Sequence, residues 1–313
     1  MHNAAMGLTS LKGTAALGLA FAALCAPAFA VEGGQSPYLK GFRDFLTGVL
    51  PPPGLQLRQD VYFYSGRENT RIPQGQLDVR LRNRISILSA TVITPYRILG
   101  GHYAFAARLA GTDTEVDRTV TRPLTTVAAH GDLAALNDVV LTPVMIGWHA
   151  GHFHWNVSAT VWLPAGNYDS NRLANTGKNT VAVSPQLGVT YFNPATGWEM
   201  SGAAIYVTSL ENSATRYQSG DLLHFDFAIG RQLTRSFKLG VVGYAMEQIG
   251  ADSGAGATLG ARKARVLGLG PALAFTFPVN NVPLTLVAKY YREFNAQNTT
   301  QGDAGSLSAR VRF

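Results

Sequence analysis

The last eight residues alternate without a break: Ser306, Ser308, Arg310 and Arg312 on one side, Leu307, Ala309, Val311 and Phe313 on the other. A period of two places these sets on opposite faces of a strand. Arginines on one face and apolar groups ending in an aromatic on the other suit a wall between lipid and a wet lumen. The pattern recurs. In His152–Leu163, His152, His154, Asn156, Ser158 and Thr160 oppose Phe153, Trp155, Val157, Ala159, Val161 and Leu163. In Asp221–Arg231, His224 and Asp226 oppose Leu223, Phe225, Phe227 and Ile229. About twelve such stretches run from Leu55–Tyr64 to Ser306–Phe313, an even number, as bacterial single-chain barrels require. The weakest is Leu136–Trp148, apolar on both faces.

The connections give an independent constraint. Ser65–Gly75, Thr112–Ala135, Pro164–Asn179, Glu211–Gly220, Ile249–Ala261 and Asn295–Gly305 are long, and each alternates with a short turn such as His149–Gly151 or Pro278–Asn281. Membrane barrels place short turns and both termini in the periplasm and long loops outside. The expected fold is therefore all-β: a transmembrane antiparallel up-and-down barrel of about twelve strands, in the outer membrane of a Gram-negative bacterium. Mean hydropathy is +0.06. Beyond the N-terminal region no stretch offers the roughly 18 continuous apolar residues of a membrane-spanning helix.

Residues 1–30 hold Lys12, an apolar run from Ala15 to Leu24, and Ala28-Phe29-Ala30, the pattern of a cleaved secretory signal peptide. The sole cysteine, Cys25, lies inside it, and Leu24 before it fits a lipoprotein cleavage site poorly. Secretion argues against nucleic acid as the partner of a chain with net charge +7. Anionic lipopolysaccharide, outer-membrane lipid or anionic solutes fit better. The terminal Phe313 also resembles the C-terminal signature that the barrel-assembly machinery recognises.

Residues 31–54 stand apart from the barrel of residues 55–313. Tyr38, Leu39, Phe42, Phe45, Leu46, Val49 and Leu50 recur at helical spacing, and Pro51-Pro52-Pro53-Gly54 stops any helix. This predicts a short amphipathic helix or an irregular plug on the periplasmic side. It either rests on the rim or sits in the lumen as a hatch, with Tyr38, Phe42, Phe45, Leu46 and Val49 as the plugging side chains.

The motifs G-F-x-x-F-L-T-G-V-L-P-P-P-G (Gly41–Gly54), N-D-V-V-L-T-P (Asn137–Pro143) and W-H-A-G-x-F-H-W (Trp148–Trp155) follow one another along the chain. L-P-A-G-N-Y-D (Leu163–Asp169), T-x-Y-x-S-G-D (Thr215–Asp221) and L-G-L-G-P-A (Leu267–Ala272) complete the set. In order and spacing they resemble the outer-membrane proteins named for the meta-cleavage pathway of phenol degradation. That resemblance implies a barrel that imports small hydrophobic or aromatic compounds, and it transfers no binding residues. The alternative is a structural or adhesive barrel with a plugged lumen.

Alternation alone assigns lumen-facing candidates. Asp78, Arg80, Arg82 and Arg84 oppose Leu77, Val79 and Leu81. Arg58, Lys289, Glu293, Arg310 and Arg312 lie on strands at the two ends of the chain, which closure makes neighbours. His154, His224 and Asp226 complete the predicted path. The basic residues are either an ion-pair network, with Asp60, Asp78 and Glu293 as partners, or an anion path. No metal or cofactor is expected. His149, His152 and His154 lack an acidic ligand nearby in sequence, and Asn167–Asn171 lacks the glycine and glutamate of a calcium loop. A hydrolase is disfavoured too, because Ser158 and His154 are about 13 Å apart along one strand.

Overall fold

The computed structural model describes residues 34–72, 75–258, 260 and 262–313, so the predicted signal peptide at 1–30 lies outside the described residues. The strands are β1 (Gly54–Ile72), β2 (Gly75–Ile98), β3 (Gly101–Arg122), β4 (Thr125–Leu136), β5 (Val139–Ala150), β6 (Phe153–Leu163) and β7 (Ala182–Phe192). They continue as β8 (Trp198–Ser209), β9 (Leu222–Gln232), β10 (Phe237–Gln248), β11 (Arg265–Val279), β12 (Val282–Gln297) and β13 (Gln301–Arg312). Every pairing is antiparallel, and β1 pairs with both β2 and β13. The sheet thereby closes into a barrel of twelve strands, with β4 as an extra strand and no helix among the described residues.

Closure follows from the solvent. Backbone N–H and C=O groups have no water to bond in a bilayer, so a spanning sheet leaves no open edge. The side chains sort accordingly. On β13, Leu307 is 59% exposed and Ser308 only 3%, so the apolar face looks out and the polar face looks in. Leu88, Phe105, Leu109, Phe225 and Leu273 continue the outer apolar band. At its lower edge, Trp148 stacks on Trp155 with ring centroids 6.2 Å apart and Phe153 meets Tyr191 at 5.2 Å, an interfacial aromatic girdle.

The short turns all fall at one end. Two of them are two-residue hairpins at Leu99-Gly100 and Asn280-Asn281, with positive φ at both positions in each, the backbone that matches strand twist. Three connections predicted as long loops are mostly strand. β1 and β2 pair out to Ile72 and Gly75, β3 and β4 out to Arg122 and Thr125, and β12 runs to Gln297 with β13 resuming at Gln301. The β1–β2 and β3–β4 ribbons rise beyond the apolar band, and there the outward face is charged while Leu77, Val79, Leu81 and Val116 are buried on the inward one.

β4 and β5 are one barrel strand with a break. β3 pairs through its lower half with β5 and through its upper half with β4. At the break Asp138 turns aside and accepts the N–H groups of Gly166 (3.0 Å) and Lys178 (2.9 Å), anchoring the loop between β6 and β7. Because Thr114 and Leu133 are register partners, replacing Glu115–Asp132 by an Asn-Gly turn is expected to leave the barrel closed. Retained heat-modifiable gel mobility of that variant checks this, and loss of the folded band would show that the wall needs the ribbon.

Candidate functional site

Of the two forms expected for it, the segment before β1 takes the irregular one: residues 34–53 form turns and bends and no helix. It also does not stay at the turn end. Gly34 lies against Asn298 and Ala264 at the loop end, where Thr299 donates to its carbonyl. From there the chain descends the whole lumen to Gly54. The wall supplies each step of the descent. Asp226 accepts Tyr38 Oη (2.6 Å) and the N–H groups of Gly41 (3.2 Å) and Arg43 (3.0 Å). Glu199 accepts the N–H of Leu46 at 2.6 Å, and Thr190 that of Gly48 at 2.9 Å. Outward donors serve its carbonyls: Tyr291 and Lys289 bond Gly41, and Asn156 bonds Thr47.

Glycines make room for it. Gly41 has a φ of +68°, and a Cβ there would come within 2.7 Å of the Tyr291 ring. The buried Phe45 ring occupies space that side chains at Gly230 and Gly240 would fill, at 2.6 and 3.0 Å from their Cβ positions. Lys238, ion-paired to Glu199, sits 5.1 Å above the same ring.

Asp44 is the centre of the clasp. Its buried carboxylate holds Arg310 at 2.6 Å through both oxygens, Lys289 at 2.9 Å and, at 3.7 Å, Arg58, which is itself bound to Asp60 at 2.7 Å. Lys40 pairs with Glu293 at 2.5 Å, and the Tyr64 and Tyr244 hydroxyls donate to the same carboxylate.

Of the residues assigned to the lumen from sequence, Arg58, His224, Asp226, Lys289, Glu293 and Arg310 lie there together around the segment. His154 faces inward but sits at the turn end beside His149, and Arg312 stays at the lower rim near Pro52. Arg80, Arg82 and Arg84 do not face the lumen. In register with β1, β2 turns Leu77, Val79 and Leu81 inward, and these are buried whereas the arginines are exposed. Arg82 instead meets Glu115 at 3.0 Å on the outer face of the ribbon, and Arg84 approaches Asp113. Asp78 shares that outer face and contacts Asn69. Above the bilayer the outward face is charged, which inverts the rule that charge means lumen. Among the segment's own candidates, Tyr38 and Phe45 are buried, Phe42 and Val49 are half-buried, and Leu46 is exposed toward the turn end.

Between the segment and the wall of β1–β3, β5 and β6 lies a cavity of about 230 Å³. Ile85, Ile87, Val140 and Trp162 are its apolar lining on the barrel wall, with Asn83, Thr112, Thr114 and Asp138 among them as polar groups. Phe42 and Arg108 close its floor. The Phe42 ring is held between two guanidinium groups, Arg58 at 4.3 Å and Arg108 at 5.1 Å. Sequence reading missed Arg108, although it is the one charged side chain of Gly101–Gly111, a signal in its own right within a membrane strand.

Metal and catalytic arrangements are sparse. Glu115, Asp117 and His130 bring ligand atoms within 4.8 Å of one another on the exposed ribbon. There Arg82 already binds both oxygens of Glu115, and His130 Nδ1 lies 2.8 Å from Asp117. His224 Nε2 is 2.8 Å from Ser36 Oγ, but the ring is packed on Tyr38, and no carboxylate bonds its other nitrogen among the described residues. This is a tether for the segment, without the orienting group that nucleophilic catalysis uses.

A closed twelve-strand antiparallel barrel with a chain threaded through its lumen has the fold of an outer-membrane β-barrel. Residues 65–309 match the family described as "Putative MetA-pathway of phenol degradation", and the chain belongs to that family. The COG4313 outer membrane channel of Pseudomonas putida F1 superposes with a TM-score of 0.67 at 14% identity, over 84% of this chain and 97% of that one. A FadL homologue of Pseudomonas aeruginosa matches more loosely, at TM-score 0.46 and 10% identity, over 91% of this chain and 98% of that one. No curated protein sequence matches the chain.

Replacing Asp44 by Asn is expected to leave three buried or half-buried cations facing one another and to destabilise the docked segment by about 3–5 kcal/mol. The checks are a lowered melting temperature and raised single-channel conductance. Enlarging Gly230 to Leu should eject the Phe45 ring and raise conductance without altering Asp44.

Proposed function

We propose that this chain is an outer-membrane channel that takes up small hydrophobic or aromatic compounds. The observation that carries the reading is the cavity of about 230 Å³ above Phe42, with apolar side chains in its wall lining and closed below by the threaded segment. An apolar cavity of about 150 Å³ already holds a benzene molecule, so this one has room for a substituted aromatic ring. Its small volume and filled lumen disfavour a wide general porin. Family membership supports the substrate class. Lipopolysaccharide slows the passage of apolar molecules, which gives a dedicated path a purpose.

In this reading the protein sits in the outer membrane of a Gram-negative bacterium, with the apolar band in lipid and the charged ribbons among lipopolysaccharide headgroups. Phe313, whose backbone is bonded to Leu55 at 2.9 and 3.1 Å, presents the terminal strand to the assembly machinery. Solute reaches the cavity from the loop end, and movement of Tyr38–Leu50 opens the way to the periplasm. The channel carries out no bond-making step.

Uptake of labelled phenol or toluene at limiting concentration tests this in cells that carry or lack the gene. Loss of the gene should slow uptake several-fold, and removing Tyr38–Leu50 should raise single-channel conductance. Uptake unchanged by loss of the gene would favour a structural barrel with a permanently filled lumen.

A further inference from the structure

Resting on the uptake reading, we infer that the cavity is built for a solute with an apolar, ring-sized body and a single anionic head, and that Arg108 recognises that head. The lumen's other cations around the segment are engaged. Arg58, Lys289 and Arg310 share Asp44, Lys40 holds Glu293, Lys238 holds Glu199, and Arg43 donates to Gln186 at 2.6 Å. Arg108 differs: it makes no hydrogen bond or ion pair among the described residues, and its sole close contact of this kind is the Phe42 ring.

A guanidinium presents a planar fork of donors that a carboxylate satisfies with two parallel bonds. Left inside a protein without an anion, it is an incomplete pair. Two further groups around it are incomplete in the same sense. Thr112 Oγ1, two inward positions further up β3, and Ser89 Oγ, opposite Arg108 in register, are buried with no hydrogen-bond partner among the described residues. Ile85 and Ile87 on β2 and Val140 on β5 stand beside Thr112, Ala110 and Arg108 in register, and Trp162 lines the cavity from β6. One cation set among hydroxyls and apolar side chains describes the site of an arenecarboxylate or a similar aromatic monoanion. Arg108 is the one guanidinium lining this cavity, which does not match a dianion, and a hydrocarbon would leave it unsatisfied.

The test is isothermal titration of the full chain in detergent micelles with benzoate and with its neutral isostere benzamide. Benzoate should bind at least about tenfold more tightly, since hydrogen bonds to a charged partner discriminate by that order. R108Q should abolish the difference while leaving benzamide unchanged, and R108K should keep part of it. Heat-modifiable gel mobility confirms that each variant is folded, and the comparison of the two ligands on the unmodified protein does not depend on any variant. Equal binding of benzoate and benzamide overturns the role of Arg108 and leaves the uptake reading standing. No binding of benzoate, benzamide or toluene overturns both.

Discussion

Antiparallel pairing between β1 and β13 is the constraint on which the rest depends. It runs from Gln56 opposite Arg312 to Arg67 opposite Gln301, and it turns an open sheet into a tube without an edge. An open edge in lipid would expose a row of unpaired N–H and C=O groups, each costing several kcal/mol. Once the tube closes, every second residue belongs to an interior that the sheet cannot fill from its own short side chains. The polar lining of Asp226, Glu199, Thr190 and Lys289 then needs partners, and the threaded segment provides them along its whole length. The lumen is in effect a second core, held by hydrogen bonds and ion pairs where a soluble protein would use apolar packing.

That division explains where solute can go. Below Phe42 the segment and wall are interlocked by Asp44, Phe45 and the glycines at 230 and 240. Above it the segment leaves the β1–β3 side uncovered, and the wall changes character toward Ile85, Ile87 and Trp162. The apolar cavity exists because Ser36, Tyr38 and Lys40 are drawn to the opposite wall by His224, Asp226 and Glu293. Function on one side of the lumen is thus set by attachments on the other.

Much of this was legible from alternation. All twelve barrel strands were found, because between lipid and water a period of two has one meaning. The lumen positions of Arg58, Asp226, Lys289 and Arg310 followed from it. The failure at Arg80, Arg82 and Arg84 has the same origin: alternation separates two faces but does not say which is wet, and beyond the bilayer it is the outward one, with Leu77, Val79 and Leu81 buried inside. For the segment, alternation and spacing left two forms open, a helix or an irregular plug. Its apolar residues recur at helical spacing, yet their positions answer to pockets around the lumen, and the positive φ of Gly41 and of Leu46 (59°) breaks any helix. Arg108 escaped notice because its strand is rich in alanine and its significance lies in what it does not contact, which only three dimensions reveal.

The three cations gathered by Asp44 come from both sides of the closing seam: Arg58 from β1, Lys289 from β12 and Arg310 from β13. Brought together without the carboxylate, they would push the first and last strands of the sheet apart. With it, the same charges draw those strands to a common point. The segment also passes along the axis from the loop end to Gly54, so a finished tube offers it no sideways path inward. The wall's seam and the enclosed chain therefore share one carboxylate, and Asp44 is the counterion at which the ends of the sheet meet.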